Sequence, residues 1–411
     1  MHSGFAFLRE PVTKEEANME AYIVGGVRTA IGRFNGSLAS LDAIDLGSGV
    51  INEVVRRTSI QGDEVEEVIM GNVLQAGLGQ NPARQAAIRA GLPENIPAFT
   101  VNKVCGSGLK SVVLAGQAIA AGEMNAIIAG GMEHMTGAPY VVKSARWGQR
   151  LGNAEMIDTL VNDALWDMFY ECHMGTTAEN VAEKYGISRK DQDEFAAASQ
   201  KKTEQSIKEG KFRDEIVPIK IKQQKGGDKI FDTDEHPRFG TTVESLAKLQ
   251  PAFKKEGSVT AGNASGINDG AAAVLVVSRE KMKQLNPAWA FRVIGSSSAA
   301  LDPAYMGLGP INACKQLIAR ASCSVMDLDL IEINEAFASQ SIQVHREMGW
   351  DMDKVNVLGG AIALGHPVGA SGTRILVTLL YEMVRRDVSL GLASLCIGGG
   401  QGIAMIVERV R

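Results

Sequence analysis

Short apolar runs alternate with stretches of helical spacing along the first third of this 411-residue chain. Ala21-Tyr22-Ile23-Val24 reads as a strand, and Ala43 to Arg57 carries apolar residues three and four apart, as one helix face does. Val65 to Met70 reads as a second strand. Asn81 then caps a helix with Pro82 at its first position, which runs to Ala90 and stops at Gly91. Ala126-Ile127-Ile128-Ala129 is apolar throughout, as a strand covered on both faces is. Apolar strands separated by helices predict an α/β fold with a mainly parallel sheet between helical layers.

The last third repeats the rhythm. Strands are expected at Phe291 to Ile294, Leu328 to Ile333, Val355 to Leu358, Leu392 to Cys396 and Gly402 to Val407. Helices are expected at Pro310 to Arg320, Glu335 to Glu347 and Gly369 to Arg386. Shared element order with little shared sequence predicts a duplicated fold. Between the halves, Ala138 to Asn263 breaks the alternation and reads as an insertion mounted on the first half. Its lysine-rich run, Lys201 to Lys229, is either a solvated face or a docking surface for a phosphorylated ligand.

Composition narrows the function classes. A net charge of −5 gives no general electrostatic case for nucleic acid, and no run of about eighteen apolar residues predicts a membrane span. Five irregularly spaced cysteines suit a reducing compartment better than a disulfide framework, and none forms a CxxC pair that would suggest zinc. Met1 to Glu20 is too acidic for a transit peptide and its apolar patch too short for a signal core, so the cytoplasm is the expected location.

The candidate chemistry lies at glycine-rich corners. Cys105 follows the run Phe99 to Val104 and precedes Gly106-Ser107-Gly108, at a strand-to-helix corner. A helix start there favours thiolate over thiol, although a free cysteine is commonly a small buried hydrophobe. His366 sits among small residues from Gly359 to Gly372, a suitable base for a thiol. Cys396 ends a strand before Gly398-Gly399-Gly400, whose N–H groups could form an oxyanion hole or a plain hairpin. Asn334 opens Asn334-Glu335-Ala336-Phe337-Ala338, either as a helix cap or to orient a water. Two further segments read as ligand surfaces: Val259 to Gly270, which includes Ala264 and Ser265, and His173 to Asn180.

The segments Val104-Cys105-Gly106-Ser107-Gly108-Leu109, Asn334-Glu335-Ala336-Phe337, Gly365-His366-Pro367 and Cys396-Ile397-Gly398-Gly399-Gly400 resemble thiolase signatures, in that family's order. The likeness runs from about Ala21 to Arg411. It implies two βαβαβαββ halves forming a layered αβαβα core, with an inserted loop domain that binds coenzyme A. The halves would be 21–137, completed by about 264–289, and 290–411, with the loop domain at 138–263 and an extension at 1–20.

By the same resemblance, Cys105 is the acyl-accepting nucleophile, His366 its base, and Cys396 the acid/base at the second substrate's α-carbon. Asn334, through a water, and His366 resemble one oxyanion hole, and the backbone N–H groups of Cys105 and Gly398 the other. The implied reaction is reversible condensation of two acetyl-CoA to acetoacetyl-CoA and coenzyme A, with ping-pong kinetics and no metal or redox cofactor. His173-Met174, Leu165, Phe253, Met306 and Phe337 resemble the acyl-pocket wall of the short-chain members. Arg238, Ser245 and Ser265 match coenzyme A contacts. Gln401 departs from the commoner methionine. A degradative 3-ketoacyl-CoA thiolase of wider chain tolerance would share every catalytic residue, and a non-catalytic coenzyme A-binding scaffold is the distant alternative. The family further implies a homo-oligomer, a dimer or a tetramer.

Overall fold

The computed structural model describes residues 20–222 and 227–410, so the expected N-terminal extension, Glu20 apart, lies outside the described residues. Strand β1 (Ala21–Thr29) is buried along its whole length. It shares a sheet with β2 (Glu67–Gly71), β3 (Ala98–Val101), β4 (Ala126–His134) and β5 (Asn268–Ser278), in the spatial order β3-β2-β4-β5-β1. In the second half β6 (Ala290–Ala300), β7 (Leu330–Ile333), β8 (Leu390–Ile397) and β9 (Gln401–Val410) follow the same plan as β7-β8-β9-β6. The sheets meet where Tyr22 pairs with Arg292 and Ile23 with Phe291.

Two expectations are corrected here. The sheet is mixed: β2, β3 and β4 pair in parallel, as do β7 and β8, but β5 and β9 run against both their neighbours. Apolar runs report burial on both faces, and the inserted antiparallel strand is buried as fully as the parallel ones. The strand expected at Val355 to Leu358 shrinks to one bridge, Val355 with Ile331. Asn356 has φ +42°, which turns the backbone away, and its side chain takes over the pairing with the Ile333 N–H and C=O.

Helices complete five layers. Helix α1 (Ala43–Thr58) starts at a capping box of Asp42 and Asp45, and α2 (Pro82–Arg89) at Asn81. They cover the outer face of the first sheet, where Val50, Ile51, Val54, Ala86 and Met132 share one core. Helix α3 (Ser107–Ala120) and α8 (Ser371–Arg386) lie between the sheets, joining Leu109, Val112, Ile375 and Leu379 to residues of both. Helix α6 (Gly309–Arg320) and α7 (Ala338–Met348) cover the second sheet. Each Val, Leu, Ile or Met side chain so buried contributes about 1.5–3 kcal/mol.

The crossing of α3 and α8 is close. A Cβ on Gly108 would lie 2.8 Å from Thr373 Oγ1, and one on Gly372 only 2.3 Å from Leu109 N, so neither position admits a side chain. The insertion between β4 and β5 carries α4 (Met174–Tyr185) and α5 (Arg189–Lys208). Buried Arg28 of β1 anchors it, pairing with Glu215 at 2.6 Å and Asp234 at 2.7 Å. Several lysines of the basic run are paired with neighbours, Lys208 with Glu204, Lys211 with Glu209 and Lys220 with Asp228, as a solvated face is. No helix among the described residues is long and apolar enough to cross a membrane.

Candidate active site

Cys105 follows Val104, whose φ of +47° is strained for a β-branched residue and costs on the order of 1–3 kcal/mol. Three hydrogen bonds hold that corner: Val104 N donates to Asn102 Oδ1, Lys103 N to Ser107 Oγ, and Ser107 Oγ to Val104 O. The thiol thereby lands just before α3, where the N–H groups of Gly398 and of Cys105 itself both reach the sulfur. The expected thiolate is corrected. Burial pushes the Cys105 thiol up to about 11, and the two N–H donors offset only part of this. The group at rest near pH 7 is therefore a thiol.

Two hydrogen bonds hold His366. Its N–H donates to Asn268 Oδ1 at 2.9 Å, and its Nδ1 lies 2.6 Å from Ser371 Oγ. Because the Ser371 hydroxyl gives its own proton to Pro367 O, it accepts from Nδ1, which leaves Nε2 as the acceptor of the ring. Burial, reinforced by the positive charge of Arg374, lowers the imidazole to about 3, so it is neutral near pH 7.

Asn334 Nδ2 lies 3.4 Å from that Nε2, and Asn334 Oδ1 is buried with no protein partner. The helix-cap reading of Asn334 does not hold. Helix α7 begins only at Ala338, with Phe337 at its N-cap. The helix expected from Glu335 starts late because that carboxylate is engaged by Ser199, Asn356 and the Ile362 N–H. Cys396, the last residue but one of β8, is 1% exposed, and its thiol is driven far above the usual range by burial and by nearby Cys105.

Cys105, His366 and Cys396 line one cavity of about 640 Å³. Its walls bring together the other residues singled out above: Leu165, His173, Met174, Arg238, Phe253, Ala264, Ser265, Met306 and Phe337. His173 stacks on Phe253 at 4.7 Å, and Phe253 meets Phe337 edge-on at 6.2 Å. Met174, Met306, Phe337 and Cys396 belong to one buried cluster. Asn334 and Gly398 are not part of this lining, but they contact His366 Nε2 and the Cys105 sulfur. Ser245 stands elsewhere, on the exposed first turn of the short helix Val243–Ala247, with its hydroxyl donating to Thr242 O. Gln401 accepts from Lys103 Nζ at 2.7 Å, outside the cavity lining.

Three supporting residues escaped the sequence reading. Asn268 and Ser371 lie inside segments noted only for their small residues, and Glu133 was not singled out. The available signal was a carboxylate within an otherwise buried strand. Arg33, Phe34 and His236 also line the cavity without having been noted.

Comparison with known proteins gives the family. The thiolase N-terminal domain matches residues 21–280 and the thiolase C-terminal domain residues 288–409. An acetyl-CoA acetyltransferase of Pseudomonas aeruginosa is 58% identical over 390 residues, covering 95% of this chain and 99% of the relative. A probable acetyl-CoA acetyltransferase of Escherichia coli is 52% identical, covering 95% and 99%. The crystal structure of the Bacillus anthracis acetyl-CoA acetyltransferase superposes with a TM-score of 0.93 at 42% identity, covering 96% of this chain and all of that one. With two thiolase domains end to end and a thiol, an imidazole and a second thiol around one cavity, this chain belongs to the thiolase family of acyltransferases.

Proposed function

We propose that the protein catalyses the reversible condensation of two acetyl-CoA molecules to acetoacetyl-CoA and coenzyme A. The observation that carries the reading is the meeting of Cys105, His366 and Cys396 in one cavity with a methionine- and phenylalanine-lined wall.

In the first half-reaction His366 Nε2 takes the Cys105 proton as the sulfur attacks the thioester carbonyl. The oxyanion is held by the Cys105 and Gly398 N–H groups, which already converge on that sulfur. The coenzyme A thiolate leaves with the Cys396 proton. That transfer is needed because so weakly acidic a thiol becomes a base only after giving its proton away. The Cys396 thiolate then removes an α-proton from the second acetyl-CoA. The enolate oxygen is received by protonated His366 Nε2 and by a water on Asn334, whose Oδ1 has no protein partner. Attack on acetyl-Cys105 forms the carbon–carbon bond, and Cys105 leaves with the His366 proton, which closes the proton balance.

We further infer that 138–263 is the coenzyme A-binding loop domain, between thiolase halves at 21–137 (completed by 264–289) and 290–411, with Arg238, Ser245 and Ser265 contacting the cofactor-like tail of the substrate. The first and last of these face the cavity. Exposed Trp147, Leu151, Met156 and Phe169 support a homo-oligomer in which a second copy covers this insertion. The expected setting is the cytoplasm, with neither nucleic acid nor membrane as partner. The test is coenzyme A-dependent cleavage of 3-ketoacyl-CoA substrates from four carbons to about sixteen, with Cys105→Ala as control. Turnover confined to acetoacetyl-CoA supports the reading. Equal turnover of long chains assigns the protein to the degradative thiolases instead, and inactivity at every length removes the catalytic reading.

A further inference from the structure

Glu133, the last residue but one of β4, is wholly buried, and its immediate partners are N–H groups and not a cation. Its Oε1 accepts from Asn72 Nδ2 at 2.7 Å and Leu74 N at 3.1 Å. Its Oε2 accepts from Val73 N at 3.0 Å and from Gly369 N at 2.8 Å. Such a carboxylate is costly to bury, so its donors have to be held in place. Those donors belong to two different halves of the chain. Asn72 to Leu74 follow β2, whereas Gly369 lies three residues beyond His366. Val73, Leu74 and Val368 share one buried cluster, against which Cys105 and Leu165 pack.

We propose that Glu133 is a positioning residue for proton transfer between Cys105 and His366, a clamp that fixes the loop behind the nucleophile to the loop that carries the base. The proposal rests on the nucleophile and base roles given above. Gly369 fits the clamp closely, because a Cβ there would lie 2.5 Å from Glu133 Oε2. Burial raises the Glu133 carboxyl to about 7 against the pull of its N–H donors, with the charge of Asp269 adding to the rise, so above that pH its negative charge bears on Cys105.

Glu133→Gln keeps the shape and removes acceptor sites: whichever oxygen becomes an NH₂ group, it faces the backbone N–H of Leu74 or those of Val73 and Gly369. In the purified full-length variant, thiolysis of acetoacetyl-CoA should lose at least tenfold in kcat with KM within twofold. Alkylation of Cys105 by iodoacetamide, followed by mass, should shift its pH profile toward lower pH, because a neighbouring negative charge is gone. Loosened packing would expose the sulfur and move the profile the same way. The shift therefore supports the proposal only where the thermal melt of the variant matches wild type, and a lowered melt sends the test to Asn72→Ala. Unchanged kcat, or an unmoved profile, overturns the proposal. Should Glu133→Gln fail to fold, Asn72→Ala removes one donor and keeps the charge; it should lower kcat at least threefold at constant KM, and an unchanged kcat overturns the clamp. The alkylation readout needs no turnover, so an inactive wild type would refute the catalytic reading while leaving the clamp measurable.

Discussion

Nδ1 of His366 and Oγ of Ser371 lie 2.6 Å apart, which ties the ring to the first residue of α8 and fixes its tautomer. A proton on Nδ1 leaves Nε2 free to receive the Cys105 proton and then to donate toward an enolate oxygen. Ser371→Ala removes the acceptor that selects this tautomer. We expect kcat to fall about tenfold, equivalent to one hydrogen bond of about 1.4 kcal/mol, with folding retained. Steady-state kinetics beside a thermal melt checks this, and wild-type kcat would show that the tautomer does not depend on Ser371.

The ionisation of Cys105 gives a pH prediction. With the thiol raised to about 11, the thiolate fraction at pH 7 is about one in ten thousand and grows about tenfold per pH unit. The rate of iodoacetamide alkylation at Cys105 should therefore still be climbing between pH 7 and pH 9. A plateau below pH 8 would mean that the helix start dominates over burial. The neutral His366, lowered to about 3, should contribute no inflection near pH 6.5 to kcat/KM of the free enzyme.

The proposed acyl end of the cavity has a wall of known composition. Met174 is 6% exposed, and its sulfur lies 3.5 Å from where a Cβ on Gly398 would be. Met174→Ala should open the acyl end of the cavity and raise kcat/KM for six- and eight-carbon 3-ketoacyl-CoA at least tenfold relative to acetoacetyl-CoA. The stability cost should fall near the lower end of the about 2–5 kcal/mol typical of buried methionine truncations, because one side faces the cavity. An unaltered preference would place the length filter elsewhere in the lining.

Gly400 offers a test of the proposed oxyanion contact at the Gly398 N–H. Its φ is +78°, and a Cβ would meet Leu301 O at 2.3 Å. Gly400→Ala should displace the turn that presents the Gly398 N–H, with a loss of about 100-fold in kcat, as for removal of one oxyanion donor. The measure is single-turnover acetylation of Cys105.

Arg28→Met would strand two buried carboxylates, Glu215 and Asp234, without their cation. Denaturant unfolding should register a loss of about 3–5 kcal/mol. A loss below about 1 kcal/mol would mean that the insertion is anchored to β1 by other contacts.

The parts of this molecule that a sequence makes legible are local. The Asn81–Pro82 helix start and the Cys105 corner were readable because caps and glycines act within a few residues of where they stand. Strand direction was not readable, since the burial of β5 would be the same in either orientation. The Cys105 ionisation was misjudged because a helix start is visible in sequence, whereas the burial that opposes it comes from distant segments, Val73, Leu74 and Ile397 among them, with the charge of Glu133 adding to it. Asn334 looked equally suited to a cap or a site. Only the placement of Glu335 beside Ser199 and Asn356 pushes the helix away from it.

The glycine crossing of α3 and α8 has a consequence for how activity can be lost. Cys105 leads into one helix and His366 into the other, and the two helices touch at Gly108 and Gly372 with no room for slippage. On the roles proposed above, nucleophile and base meet at the seam between two halves, each of which supplies one of them. Neither half on its own would hold a working fraction of the chemistry, so catalysis is a property of their joining, and activity should vanish together with the seam rather than fade with either half.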